Sequence, residues 1–323
     1  MPSLIIHTEK LSRRFDGLIA VNEISLDIPK GEVFGLLGPN GAGKTTFISM
    51  LSTLLKPTSG RAWVAGIEVS NDSLQVRKNI GIVFQEPSVD DLLTGRENLE
   101  LHAMLYGMAR DERKKRISEM LELVSLSARA DSFVKTYSGG MRRRLEIARG
   151  LLHQPKVLFL DEPTLGLDPA ARKIIWNYVK NLSETGDITI ILTTHYMEEA
   201  DFLCDRIGII DHGRIVQLGS PEELKRKVGG DIVILEGTIE IEALKGLNFI
   251  KSVHAGNGKA EITVMDAADN LPVLLKHAGE IDRVEIRPVT LEDVFLKFTG
   301  HEIKNEESQD TIFERIVSVK TNK

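Results

Sequence analysis

Between the apolar run Val33–Leu37 and a helical pattern beginning at Lys44 stands Gly38-Pro39-Asn40-Gly41-Ala42-Gly43-Lys44-Thr45. A glycine, four further residues and then Gly-Lys-Thr, set between a buried strand and a helix, is an arrangement few folds can carry. Glycines let the backbone curl so that successive N–H groups point inward at an anion. The helix start that follows adds the positive end of its dipole. The pattern predicts a phosphate-binding loop in which Lys44 reaches the β- and γ-phosphates and the Thr45 hydroxyl binds Mg²⁺. A glycine-rich turn with a chance lysine is the plain alternative, and the strand before and helix after argue against it.

Short apolar runs alternate with longer helical patterns along the rest of the chain. Strands are expected at 4–8, 24–28, 33–37, 80–84, 157–160 and 189–192, with a helix at 44–55 stopped by Pro57 and Gly60. Strands alternating with helices imply a parallel α/β sheet. A polar, helix-rich stretch at 88–152 interrupts them. Its RDERKKR run (110–116) reads as a solvated helix face. Asp168-Pro169 is a helix start, a capping carboxylate followed by proline. Ser220-Pro221-Glu222-Glu223 is a capping box opening a short helix that Gly229-Gly230 closes. From 231 the order strand (231–236), helix (239–246), strand (249–254), strand (259–265), helix (269–279), strand (281–287) is that of a split βαβ, ferredoxin-like domain. A closing helix is expected at 291–298, and a charged, loosely ordered tail from 301 on. Domain borders are therefore placed at 1–228, 229–300 and 301–323, which fits a length of 323 residues at about 150 per domain.

Two further segments carry chemistry. Val157-Leu158-Phe159-Leu160-Asp161-Glu162 reads as a buried strand delivering two carboxylates to the C-terminal edge of the sheet, where α/β ligands sit. Asp161 fits a Mg²⁺ ligand beside the phosphate loop. Glu162 is placed to orient and deprotonate an attacking water. An ordinary acidic turn is the alternative for this segment taken alone. Tyr137-Ser138-Gly139-Gly140-Met141 precedes an Arg-rich helix and reads either as a plain N-cap or as a second anion site. One nucleotide already has its cradle at 38–45, so a second phosphate site suggests a nucleotide shared between two chains.

GPNGAGKTT (38–46, ending in Thr46), Gln85 at a strand end, YSGGM (137–141), VLFLDEP (157–163), Leu167-Asp168 and His195 together resemble the ATP-binding subunit of ABC transporters, in order and spacing, over about 4–220. PVTLEDVFLKFTG (288–300) is similar to the accessory domain of the daunorubicin-resistance-type exporter ATPases. The resemblance implies an α/β P-loop NTPase domain of ABC type with a helical subdomain, followed by a small α+β domain. It implies that Ser138, Gly139 and Gly140 meet the γ-phosphate of ATP held by the opposite subunit of a head-to-tail dimer, with two ATPs at the seam. Gln85 would touch Mg²⁺ or the water, Asp168 would lie across the seam, and His195 would bond the γ-phosphate. Phe15 would stack on adenine. Read from residues alone, His195 is more readily a capping or core histidine, and Phe15 is equally a core aromatic at a strand end. Tyr137 and Met141 depart from the leucine and glutamine commoner in the family.

The expected function is ATP hydrolysis driving a separate transmembrane permease, with export of drugs or other hydrophobic compounds implied by resemblance. The permease would dock on 86–93 and the helices near 94–107. Two rival readings are a non-transport ABC-type ATPase acting on ribosomes or nucleic acid, and a nucleotide-regulated binding module without catalysis. Tandem cassettes or a long coiled coil would mark the first; this chain has one cassette and no heptad run of that length between Thr46 and Asp161. Lys+Arg 41 against Asp+Glu 47 leaves a net charge of −6, against the basic excess of nucleic-acid binders, and no nucleic-acid partner is expected. The single cysteine, Cys204, excludes an internal disulfide framework. No stretch approaches about 18 uninterrupted apolar residues, and the N-terminus lacks a signal-peptide core. The expected location is the cytoplasmic face of the membrane, reached through the permease.

Overall fold

Two long strands open the chain, β1 (Leu4–Phe15) and β2 (Leu18–Pro29), paired antiparallel around the turn at Asp16-Gly17. They belong to a computed structural model that describes residues 3–86, 88–184, 186–256 and 258–301. Then come β3 (Val33–Leu37), α1 (Lys44–Leu51), β4 (Ser59–Val64), β5 (Ile67–Glu68), α2 (Ser73–Lys78) and β6 (Ile80–Val83). Helices α3 (Gly95–Leu105), α4 (Arg110–Leu123) and α5 (Gly139–Leu151) fill the polar stretch. The sheet resumes with β7 (Val157–Asp161), α6 (Pro169–Glu184), β8 (Thr189–Thr194), α7 (Met197–Leu203), β9 (Arg206–Asp211) and β10 (Arg214–Gly219).

A six-stranded sheet in the order β10-β9-β3-β8-β7-β6 and a four-stranded sheet in the order β2-β1-β4-β5 enclose the first unit's core. Strands β9, β3, β8, β7 and β6 run parallel, each to its neighbour. Every residue of β3, β7 and β8 is buried, the mark of strands covered on both faces. Phe34, Phe47 and Phe159 are fully buried, and burial of one such ring stabilises by about 1.5–3 kcal/mol. Parallel strands put the loops after β3, β7 and β8 on one edge of the sheet, where open α/β folds bind ligands.

The expected helix at 44–55 ends at Leu51, because Thr53 adopts a left-handed φ of 66°. The expected strands at 4–8 and 24–28 extend to twelve residues each. Strands β4, β5, β9 and β10 were not expected. In β4 and β10 most residues are exposed or half-buried, so no apolar run marks them. The 110–116 run is the first half of α4 and is mostly exposed, as a solvated face should be.

The second compact unit runs from Gly219 to Glu302, so the division falls ten residues before the expected border at 228. Helix α8 (Pro221–Val228), opened by its Ser220 capping box, belongs to this unit because it packs on α11 (Leu291–Thr299). Between them lie β11 (Asp231–Ile239), α9 (Ile241–Lys245), β12 (Ile250–Gly256), β13 (Lys259–Val264), α10 (Ala267–His277) and β14 (Gly279–Arg287). The antiparallel order β12-β13-β11-β14 is that of the ferredoxin-like split βαβ. Val233, Leu235, Leu244, Ile262 and Leu274 form its own core. The tail beyond 301 lies outside the described residues.

Candidate functional site

The loop between β3 and α1 is built to approach closely. A Cβ on Gly38 would stand 2.3 Å from the Ile210 carbonyl oxygen, and one on Gly43 would stand 2.2 Å from the Ala20 carbonyl oxygen. Gly43 also holds φ at +105°, a conformation glycine adopts freely and other residues rarely do. Pro39 accepts from the Ala42 N–H at 3.2 Å, and Ala42 accepts from the Gly213 N–H at 3.0 Å, which pins the curl to the β9–β10 turn. Asn40 and Gly41 are exposed at its tip, and Thr46 sits half-buried behind it in α1.

Lys44 is 5% exposed, and its ammonium is folded into the loop. It donates to the Gly38 carbonyl at 2.8 Å and the Pro39 carbonyl at 3.1 Å, and it pairs with Glu162 Oε1 at 3.1 Å. Burial draws the lysine below its ordinary pKa, opposed by the charges of Glu162 and Asp161. Burial pushes the Glu162 carboxyl up, but the neighbouring His195 and the Lys44 charge outweigh it and hold it below the usual carboxylate range. Glu162 therefore keeps its negative charge at neutral pH.

Asp161 ends β7 with its side chain turned toward α1. Its Oδ1 accepts from Thr45 Oγ1 at 3.2 Å and Thr193 Oγ1 at 2.5 Å. Glu162 follows with a left-handed φ of 46°, anchored by its N–H to the Thr193 hydroxyl at 3.0 Å. Strain of this kind persists where surroundings over-determine it and gathers at functional sites. His195, one residue past β8, is buried, and its Nδ1 lies 3.3 Å from Glu162 Oε2. That pair is close enough to interact but is not aligned as a hydrogen bond, so Nδ1 is a buried polar atom without a bonded partner. Lys44, Thr45, Asp161, Glu162 and His195 thus converge at one edge of the sheet. Gln85 is exposed two residues past the end of β6, and continuing the β6–β7 register sets it level with Glu162.

The other expected residues stand elsewhere. Ser138 is the exposed N-cap of α5, its oxygen accepting from the Met141 N–H at 3.3 Å. Gly139 and Gly140 follow; a Cβ on either would reach Leu167 or Ala171 at 3.3–3.4 Å. Asp168 is exposed and caps α6 through the N–H groups of Ala170 and Ala171 at 3.0 and 2.9 Å. Phe15 is 36% exposed at the β1–β2 turn, with the Arg13 guanidinium 4.5 Å over its ring. Both residues that depart from the family pattern are accommodated. Tyr137 is buried and donates its hydroxyl to the Arg129 carbonyl at 2.6 Å, and Met141 is half-buried on α5.

Residue patterns alone did not single out Thr193, Arg143 or Glu199. Thr193 hides in an apolar strand, where only its hydroxyl marks it. Arg143 is one of three consecutive arginines, and the buried Glu146 one turn on was the available signal.

The donor set fits a nucleotide with Mg²⁺. The loop offers inward backbone curvature and an ammonium, and the Thr45 hydroxyl beside the Asp161 carboxylate offers the hard oxygens that Mg²⁺ takes. No helix among the described residues is long and apolar enough to cross a membrane.

Comparison with known proteins agrees with this geometry. Residues 21–165 match the ABC transporter family model, and 219–299 match the C-terminal domain of ATP-binding proteins of the DrrA1-3 type. The linearmycin resistance ATP-binding protein LnrL of Bacillus subtilis is 39% identical over 93% of this chain and 100% of its own length. The daunorubicin/doxorubicin resistance ATP-binding protein DrrA of Streptomyces peucetius is 37% identical over 98% and 99%. Among solved structures, cbiO1 from Clostridium perfringens, part of an ABC transporter complex, aligns at TM-score 0.64 and 32% identity, covering 70% of this chain and 94% of that one. A dimeric ATP-binding cassette in a post-hydrolysis state with ADP and Pi aligns at TM-score 0.60 and 28% identity, covering 67% and 98%. This chain belongs to the ATP-hydrolysing, ATP-binding subunits of ABC transporters, in the branch that carries the DrrA-type C-terminal domain.

Proposed function

We propose that two copies of this chain, or one copy and a paired ATPase subunit, close head to tail on two ATP molecules and so power a separate membrane permease. That permease exports drugs or other hydrophobic compounds. The observation that carries the reading is the split of the expected site. Lys44, Thr45, Asp161, Glu162 and His195 meet at one sheet edge, while Ser138 is displayed outward at the start of α5. A serine hydroxyl and a helix N-terminus facing outward suit an anion brought by a second chain.

Each residue then has a task. Lys44 and the 38–43 backbone stabilise charge on the phosphates. Thr45, Asp161 and Gln85 would hold Mg²⁺, which when bound would neutralise phosphate charge. Glu162, kept ionised, takes the proton of the attacking water. His195 bonds the γ-phosphate with its polar edge, and Phe15 stacks on the base. Ser138, Gly139 and Gly140 reach the partner's γ-phosphate, and Asp168 lines the seam. Contacts to the γ-phosphate vanish after hydrolysis, and that difference lets nucleotide shift an open–closed equilibrium.

For the permease, Leu92, Leu101, Met104 and Leu105, on and before α3 and within the expected docking region, are exposed apolar side chains. Docking there would hold the chain at the membrane from the aqueous side, on the cytoplasmic face. The export reading is supported by the resistance and Nod-factor-export names of relatives covering nearly the whole chain. Glu162→Gln should lower hydrolysis by at least about 10²-fold while ATP remains bound in a stable dimer. Turnover near the wild-type rate would defeat the assignment of Glu162.

A further inference from the structure

Arg143 is a buried cation that the tasks above leave unused. It lies on the second turn of α5, five residues past Ser138, and is 7% exposed. Its Nε donates to the Pro163 carbonyl at 2.7 Å and its Nη2 to the Asp161 carbonyl at 2.9 Å. Its Nη1 donates to the Phe84 carbonyl and pairs with Glu146 Oε2 at 3.1 Å. Asp161 and Pro163 are the neighbours of Glu162 on either side, and Phe84 is the neighbour of Gln85. The chain of contacts continues. Glu146, 1% exposed, accepts from the Ser88 N–H at 2.6 Å and the Ser88 hydroxyl at 3.3 Å. Arg149 donates to the Ser88 carbonyl at 2.9 Å and to the Ser88 hydroxyl. One face of α5 therefore holds the 84–88 segment at both ends and the Glu162 peptide on both sides.

Stability does not explain the choice of residue. Taking a guanidinium out of water is expensive, and well-packed apolar residues often serve a core better than a buried ion pair. What the guanidinium offers is a rigid planar fork with five donors, able to hold several acceptors in one fixed geometry.

We propose that Arg143 is a positioning residue for hydrolysis: one side chain fixes Glu162 and Gln85 relative to each other and ties both to the helix that presents Ser138 to the second chain. The proposal rests on the reading of Glu162 and Gln85 as the groups that orient and deprotonate water. Any rotation of α5, whether driven by the partner's nucleotide or by the permease, then moves both groups through the same three carbonyls. A misplacement of about 1 Å at such groups slows chemistry by roughly 10²-fold.

The test uses the full chain carrying Arg143→Gln with Glu146→Gln, so that no carboxylate is stranded and Ser88 keeps an acceptor, and separately Arg143→Lys. Turnover, KM for MgATP, melting temperature, and ATP-driven dimer mass in a Glu162→Gln background are measured together. The expected result is a fall in kcat of about 10²-fold with KM within about threefold and dimer formation intact. Arg143→Lys should not restore the rate, because one ammonium cannot span three carbonyls. Wild-type kcat in either variant overturns the proposal. So does loss of nucleotide binding, dimer and melting temperature together, which would make Arg143 a structural residue only. If Glu162→Gln alone still turns over, the reading of the site fails; if it is inactive while the Arg143 variants are fully active, the clamp alone fails.

Discussion

Four residues after His195, the Glu199 carboxyl is fully buried between α6, α7 and the end of β8. It accepts from the Thr164 hydroxyl at 2.7 Å and from Trp176 Nε1 at 2.9 Å. Burial pushes its pKa above the usual carboxylate range, against hydrogen bonds with Thr194, Thr164 and Trp176 and the charge of Arg143. A carboxyl whose folded pKa is raised binds its proton more tightly in the folded state. Its contribution is then complete below the unfolded value and is lost as pH rises through the folded one. Glu199→Gln keeps an oxygen acceptor and removes the charge. The variant should melt above wild type at pH 8, with the gap narrowing as pH falls and closed only below the unfolded carboxyl value; about 1 kcal/mol would show as roughly 2–4 °C. A gap that is constant or widens toward acid would contradict the assignment. Glu162 has the opposite sign: the His195 and Lys44 groups beside it outweigh its burial, whereas at Glu199 burial dominates.

Helix α3 begins where Tyr137 ends its reach. Gly95, the first residue of α3, has no side chain to meet the Tyr137 hydroxyl, which a Cβ there would approach to 2.4 Å. Gly95→Ala should destabilise by about 1–3 kcal/mol in urea unfolding. Adding Tyr137→Leu, which removes the obstructing ring and hydroxyl, should recover most of that loss; a double variant no better than Gly95→Ala would show that the contact is not the cause. At this scale the sequence is uneven to read. Strands β3, β7 and β8 are buried on both faces and appear as apolar runs, and the residues at their ends sit in recognisable spacings. Strands β1 and β4 carry His7, Glu9, Arg13, Arg14, Arg61 and other exposed or half-buried polar residues, so only part of β1 and none of β4 could be picked out. The inward arginine of α5 is equally hidden. Arg142, Arg143 and Arg144 look alike as letters, and only the packed helix shows that Arg143 turns to the strand ends while Arg142 meets Asp91 at 2.7 Å.

For the molecule as a whole, two units each have their own core, and the short alternating runs of the second are enough to give its element order. Its border was misplaced by one helix, because a capping box and a closing Gly-Gly mark where α8 starts and stops without saying which core it joins. In the proposed reading the first unit holds a nucleotide cradle and the Glu162 carboxylate that would orient water, while Ser138 faces outward, so a single chain would present the parts of two half-centres. Hydrolysis per molecule, followed across dilution alongside mass in the same samples, tests this most directly. The account predicts that specific activity falls with the fraction of dimer and vanishes where only the 35.9 kDa chain remains. Undiminished activity from a strictly single chain would contradict it.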